Sequence, residues 1–445
     1  MSNANTTYKN NVIISNNLNA DNGSLYVDVA NSKVGVGTTT PQYELDISGS
    51  VRIRTNLAEY GYNAGNVNFN SNSVAIGVQA GETNTSTASI SIGYLAGSVN
   101  AATRSVLIGY QAGQTSQATN SIQSNVAIGN NTLQSITNVA QRIVAIGHNA
   151  CFTLAITQTN NSIIGIGLNA SAANAKTGAI SIGTFSGITN KATNSISIGS
   201  SSGSNNCVGT SAIAIGNQAG ENTQHYYAIA VGFRAGQLAQ ATGFTSGPIA
   251  IGNLAGVITQ NVGSIAIGNE AGAVNLRTNS IAIGSFAGRT LGSSSVAIGY
   301  EAGYNNAGAT SSVCIGLRAG YSGILANSIA IGTRACFNTA AAAIQNTIIG
   351  IGEGSGYQGK LNSICIGVLA GNNVPGTGGC NIGYQAGFSG QRQSASVAIG
   401  YNAGFNSQQI YSICIGAIKQ VKLLNVRVLL LLEQKQVIVI KGLQL

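Results

Sequence analysis

Residues 264–272 read Ser264-Ile265-Ala266-Ile267-Gly268-Asn269-Glu270-Ala271-Gly272, and the same frame returns at Ser280–Gly288, at Ser295–Gly303 and, far upstream, at Ser73–Gly81. The unit is Ser-Ile/Val-Ala-Ile-Gly-x-x-Ala-Gly. Its first glycine recurs at 77, 93, 109, 129, 147, 167, 183, 199, 216, 232, 252, 268, 284, 299, 316, 332, 352, 367, 383, 400 and 416, which is 21 copies. The residue before it is Ile each time except Val231. Ten of the twenty intervals are 16 residues and four are 20, which fits a four-residue loop inserted at one corner of a coil. A fixed period of this size is the signature of a solenoid, because no single unit can bury its own apolar face and stacking must do so.

Within the unit the alternation has period 2. In Ser73-Val74-Ala75-Ile76, Val and Ile share one face and Ser and Ala share the other. β-Branched residues favour a strand, and the glycine that follows permits a turn or a close backbone approach. Ala-Gly is expected to mark a second short strand and corner, and stretches such as Gln114-Thr115-Ser116-Gln117 the outer loop. The fold class is therefore all-β, a repetitive parallel β-roll, with coils stacked about 4.8 Å apart into a rod of roughly 100 Å. Two orientations are open. A narrow coil filled by Ala, Ser and Gly leaves the Ile/Val stripe outside, where it needs a partner, most simply copies of the chain around a cyclic axis. A wider single-chain coil takes the stripe inside.

Composition agrees with a repeat protein. Only 7% of the 445 residues are charged, Gly numbers 60, Pro 3, and Trp is absent. The formal charge of +9 is uneven. Residues 417–445 hold Lys419, Lys422, Arg427, Lys435 and Lys441 against Glu433 alone, leaving +5 over the first 416. No basic stripe with interleaved aromatics is present, so no nucleic-acid partner is expected. Residues 1–12 are polar and no apolar run approaches the ~18 residues of a span, the candidate Val428–Leu432 having five, so neither a signal peptide nor membrane insertion is expected.

The blocks at 73–77, 295–299 and 396–400 resemble the head repeats of the YadA-like trimeric autotransporter adhesins, and the resemblance covers residues 73–416. It implies a left-handed parallel β-roll, a homotrimer, and binding to a host-surface glycan or protein receptor. The family spacing is a little shorter, and its export signal, coiled-coil stalk and membrane β-barrel are not found in these residues. A second stretch, Val34-Gly35-Val36-Gly37-Thr38-Thr39-Thr40-Pro41 with Leu45-Asp46-Ile47-Ser48-Gly49-Ser50-Val51, is similar to a segment of bacteriophage and giant-virus fibre proteins. That favours a virion fibre over a bacterial cell-surface adhesin.

The expected organisation is an irregular attachment region (1–30), a small fibre-type β-segment (31–54), a linker (55–72), the roll (73–416) and an aberrant tail (417–445). In the tail, Lys-Gln-Val occurs at 419–421 and again at 435–437, sixteen residues apart. Read across codon boundaries, Lys-Gln encodes only Ala or Thr and Gln-Val only Gly or Ser, so both triplets are compatible with the missing Ala-Gly. Val428–Val437 is likewise compatible with Ser-Val-Ala-Ile-Gly-Ala-Lys-Ala-Gly. A frameshift at or near codon 416 is expected; a divergent cap is the alternative.

No enzyme is expected. The repeats offer only Glu82, Glu221, Glu270, Glu301 and Glu353, mostly a coil or more apart, with Glu270 and Glu301 in a solvated surface position. His148 and His225 have no second ligand at metal spacing. Neither a catalytic residue, a cofactor nor a metal is assigned. Cys314, Cys365 and Cys414 take the Ala position, Cys151 and Cys336 the Gly of Ala-Gly, Cys380 an Ile/Val position, and Cys207 a loop. They read as reduced structural residues, consistent with assembly in a cytosol. Tyr94, Tyr110, Tyr300, Tyr384 and Tyr401 each follow a coil glycine; an aromatic ladder there either stacks on glycans or packs on itself, packing being favoured. The function expected is a virion fibre component for host attachment. A bacterial adhesin head and a monomeric scaffold or ice-binding solenoid are the alternatives, the last disfavoured because the repeats carry Ser-x-Ala where Thr-x-Thr is wanted.

Overall fold

The computed structural model describes residues 18–20, 25–48, 57–66, 72–83, 87–99, 103–116, 124–137, 142–155, 162–173, 175–189, 192–205, 210–238, 247–339, 347–358, 362–373, 377–389, 395–405 and 412–416. The tail 417–445 and Cys207 lie outside them. The described residues are all β, without a helix. The chain divides into two compact units, residues 1–58 and 59–445.

In the first unit, β1 (Leu18–Ala20), β2 (Leu25–Asp28), β3 (Lys33–Val36) and β4 (Leu45–Ile47) form one sheet in chain order. The pairs β1–β2 and β2–β3 are antiparallel, whereas β3–β4 is parallel, with Val34 opposite Leu45. Two strands thus fall in the region expected to be irregular. Asp28 closes the β2–β3 turn by accepting from the Asn31 amide at 3.1 Å and from its side chain at 2.9 Å. Lys33 donates to the carbonyls of Pro41 and Gln42, tying down the crossover to β4.

The second sheet is a parallel solenoid face of 22 strands in chain order, from β5 (Leu57–Tyr60) to Ile413–Ile415. Strand β5 lies in the stretch expected to be linker; it is a rung one coil upstream of the first repeat. The Gly77 and Gln79 amides donate to the carbonyls of Tyr60 and Tyr62. Register is one rung to the next throughout, including across the 20-residue coils: Val106 sits opposite Val126, Val144 opposite Ile164, Ile229 opposite Ile249 and Ile329 opposite Ile349. The extra residues are therefore absorbed between the turn and the next strand, as the spacing predicts.

Numbering each coil from its glycine as position 0 explains the repeat. The Ala at −2 and the Ala at +3, Ala75 and Ala80 in the first full unit, are fully buried against each other. Where Ser stands at −4 it is buried, and in several rungs its hydroxyl accepts the amide of the matching residue one rung on: Ser89 to Ser73 at 3.2 Å, Ser312 to Ser295 at 3.1 Å, Ile348 to Ser328 at 3.0 Å. A buried amide left without an acceptor would cost about 1–3 kcal/mol, so the serine is a stacking residue. Position 0 has φ between +121° and +138° from Gly61 to Gly400, and a Cβ there would overlap the carbonyl of the next rung's glycine. Only glycine fits.

The Ala-Gly corner is a turn, not the second strand that was expected. The +3 amide donates back to the carbonyl at 0, as in Ala80 to Gly77 at 3.2 Å. The residue at +2 is left-handed even when it is not glycine, for example Gln79, Glu270 and Arg318. A second ladder forms only locally, after the corner. Its pieces are Thr115–Ser116, Ser135–Thr137 and Thr153–Ala155, and then Asn275–Leu276, Thr290–Leu291 and Asn305–Asn306. Thr115 and Ser116, expected in an outer loop, are thus strand residues. Larger buried groups fill the coil behind this ladder, among them Leu154, Leu276, Leu291, Gln224 and Gln260. These two Gln each donate to two carbonyls: Gln224 to Ile213 at 2.7 Å and Ala228 at 3.2 Å, Gln260 to Ile249 at 2.7 Å and Ser264 at 3.3 Å.

Two corners break the pattern together. Cys151 stands where Gly is expected at +4, and the next strand carries Gly165 in place of the buried Ala; Cys336 and Gly350 repeat the exchange. A Cβ on Gly165 would lie 2.5 Å from the Cys151 Sγ. The thiol therefore occupies the volume that an alanine methyl fills elsewhere. Gly165→Ala is expected to destabilise its rung by about 1–3 kcal/mol through overpacking, and Cys151→Gly/Gly165→Ala, which restores the common pattern, to recover most of that. Denaturant unfolding of the two single variants and the double variant checks this; additive losses would show that the two sites are not coupled.

Candidate functional site

The narrow coil decides the orientation of the stripe. With Ala, Ser and the occasional Cys filling the interior, Ile and Val at −3 and −1 point outward. None of the residues in the two rows, from Val74 and Ile76 to Ile413 and Ile415, is buried. Ile76, Ile128, Ile215, Ile251 and Ile399 are each more than a third exposed, the rest of each surface being covered by the rungs above and below. Parallel register aligns like with like, Ile265 on Ile281 and Ile267 on Ile283, so the rows are two continuous apolar ladders running the length of the sheet. A strip about 10 Å wide and 100 Å long covers roughly 1,000 Å², against about 300–600 Å² for the largest apolar patch of a typical monomer. The ladders carry one Cys, Cys380, which is half-buried.

Beside the ladders runs the +1 column that holds the five tyrosines. They do not form one ladder. Tyr94 stacks on Tyr110 at 5.2 Å between centroids and Tyr384 on Tyr401 at 5.1 Å, so one face of each ring is covered. Tyr300 packs edge-on against Phe286 at 6.1 Å. Its phenol hydrogen-bonds to Glu301, and that carboxylate holds the phenol pKa above its ordinary value. All five rings keep an exposed edge. A second aromatic column, at +5, was not singled out in the sequence. Tyr304, Tyr321, Phe337 and Tyr357 stack over four successive rungs at 5.1–5.4 Å, and Phe388 stacks on Phe405 at 5.1 Å. The signal was present as an aromatic five residues after seven of the coil glycines. Arg289 and Arg318 lie 5.8 and 5.9 Å from the Tyr304 and Tyr321 ring centres. Rings stacked face to face have spent their faces on each other, so this column stiffens one side of the roll and offers edges to solvent.

The carboxylates are separated and tied to neighbours. Glu301 is not in a solvated position: its side chain is 14% exposed and pairs with Arg318, one rung on, at 2.6 Å. Glu221 accepts from Gln237 at 2.6 Å, and Gln237 in turn accepts from Arg234 at 2.7 Å. Glu82 accepts from Gln79 at 2.9 Å. Glu353 is exposed and Glu270 half-exposed. His148 is exposed on the +1 column, and burial lowers the pKa of half-buried His225. Among the described residues no group of three His, Cys, Asp or Glu could hold a metal ion, and no helix is long and apolar enough to cross a membrane.

The described cysteines are free thiols. Cys151, Cys314, Cys336, Cys365 and Cys414 are buried, and loss of water pushes their pKa values up, to about 12 for Cys151 and Cys314 and about 11 for Cys365. Such thiols stay protonated and inert and behave as small apolar side chains.

No family model, no curated protein and no solved structure matches the chain.

Proposed function

We propose that the chain is the roll of a homotrimeric fibre displayed on a virion surface, where it presents an extended surface for host attachment. The observation that carries this reading is the pair of outward Ile/Val ladders over a core already filled by Ala and Ser. A face of roughly 1,000 Å² on each chain exceeds the about 800 Å² per partner of a standard stable interface, and the ladders carry Ile or Val at every rung but that of Cys380. Three copies around an axis parallel to the stack bury all of them while keeping each rung level with its counterparts. The +1 and +5 columns and the variable outer loops then remain outside, and low-affinity contacts repeated along them gain through multivalency. A host glycan or protein receptor is the partner. The resemblance at Val34–Ile53 to viral fibre segments favours the virion over a bacterial surface.

Light scattering of the whole chain tests the assembly, with a trimer expected. Cys380 gives a second readout. In a Cys207→Ser background it is the one cysteine outside the roll's interior, so a maleimide is expected to label it slowly in the assembly and fast after dissociation in denaturant. A monomer with rapid labelling of Cys380 would remove the fibre reading and favour a single-chain scaffold.

A further inference from the structure

The common rung pattern extends the reading of residues beyond Gly416. The most frequent rung carries serine at −4, a small buried group at −2, glycine at 0, a small buried group at +3 and glycine at +4. In the frame made of the third base of each codon and the first two of the next, codons 419–421 supply Ala or Thr and then Gly or Ser, at +3 and +4 from Gly416. Codons 428–433 are compatible with Ser, Val, Ala, Ile and Gly. The Ser then falls at −4, the Ala at −2 and the Gly at position 432, sixteen residues after Gly416. Codons 435–437 again supply the +3 and +4 pair. No dipeptide between 416 and 437 forces a stop in that frame. All five features of the common rung recur at their own spacing in a stretch whose in-frame residues show none of them.

We infer that the coding sequence carries a further rung in a second reading frame after codon 416, and that this rung is the native neighbour of strand Ile413–Ile415. The hydrogen-bond pattern specifies the contact. In each rung the −3 amide donates to the −4 carbonyl of the next, as Ile196 does to Ala212 at 2.9 Å and Val397 to Ser412 at 2.8 Å. Among the described residues the Ile413 amide has no such acceptor. The serine read across codons 428 and 429 supplies one.

Two measurements test this. The first is the coding DNA. The shifted frame is expected to read Ser-Val-Ala-Ile-Gly across codons 428–433, which requires G as the third base of codon 432; any other base removes the coil glycine and overturns the inference. The second compares the present chain with one expressed in the shifted frame from codon 417. Hydrogen exchange at the Ile413 amide is expected to slow about a hundredfold, to the level of Val397, as the strand gains this neighbour. An unchanged rate would overturn the assignment of the neighbour whatever the DNA reads.

Discussion

Gly216→Ala is expected to open the stack locally, with a loss of about 3–5 kcal/mol, at the top of the range for single substitutions. Two causes add. Gly216 has φ of +129°, where a side chain is strained whatever space surrounds it. The new Cβ would also lie 2.5 Å from the Gly232 carbonyl oxygen and 2.8 Å from its carbon. Gly232 cannot retreat, because it meets Gly252 at the same separation. The obstacle is backbone against backbone, so no rotamer change relieves it. Unfolding of a long repeat array need not be two-state. Amide exchange is therefore the appropriate measurement, at the Gly232 amide that donates to Ile215 at 2.8 Å. A loss of 3–5 kcal/mol corresponds to an acceleration of at least about a hundredfold. Gly308→Ala is the control: nothing lies within 4 Å of its Cβ, and it is expected to be neutral within about 0.5 kcal/mol. Equal behaviour of the two variants would show that the glycine column is not a contact line.

Ile215→Asp combined with Ile251→Asp is expected to abolish self-association and leave the roll folded. Both residues are more than a third exposed in the single chain, and their side chains point away from the Ala/Ser interior. A carboxylate there stays solvated in the monomer, at a cost within the about 1 kcal/mol span of strand preferences. In a closed assembly the same carboxylate would be buried without a partner, at several kcal/mol for each charge. Each variant chain contributes two, so the mass by light scattering at micromolar concentration is expected to fall to that of one 44.8 kDa chain, with an unchanged β signature in circular dichroism. A trimer that survives both substitutions would place the interface on another face. Loss of the β signature would show instead that the ladders are needed within the chain.

The sequence by itself determined the solenoid, because its determinants are local and recur. An obligatory glycine with its Ile neighbour, a small residue two positions earlier and Ala-Gly three positions later are each visible in one unit. Coil length could vary from 15 to 20 residues without hiding them. Rung Leu57–Tyr60 is hidden in the sequence because its strand, Leu57-Ala58-Glu59-Tyr60, has none of the Ser-Ile/Val-Ala-Ile pattern, although Gly61 and Ala64-Gly65 keep the corner. Tertiary structure alone decided which face is inside. Both faces of Ser-Val-Ala-Ile are compatible with burial, and the choice depends on coil width, which is set where the turn brings Ala80 against Ala75. It also decided the exchange of volume between Cys151 and Gly165, the pairing of Glu301 with Arg318, and the stack from Tyr304 to Tyr357. These contacts join residues about one coil apart, at positions where the residue type varies. They exist only once parallel stacking brings such residues side by side, whereas the coil glycine is imposed by the backbone of every rung alike.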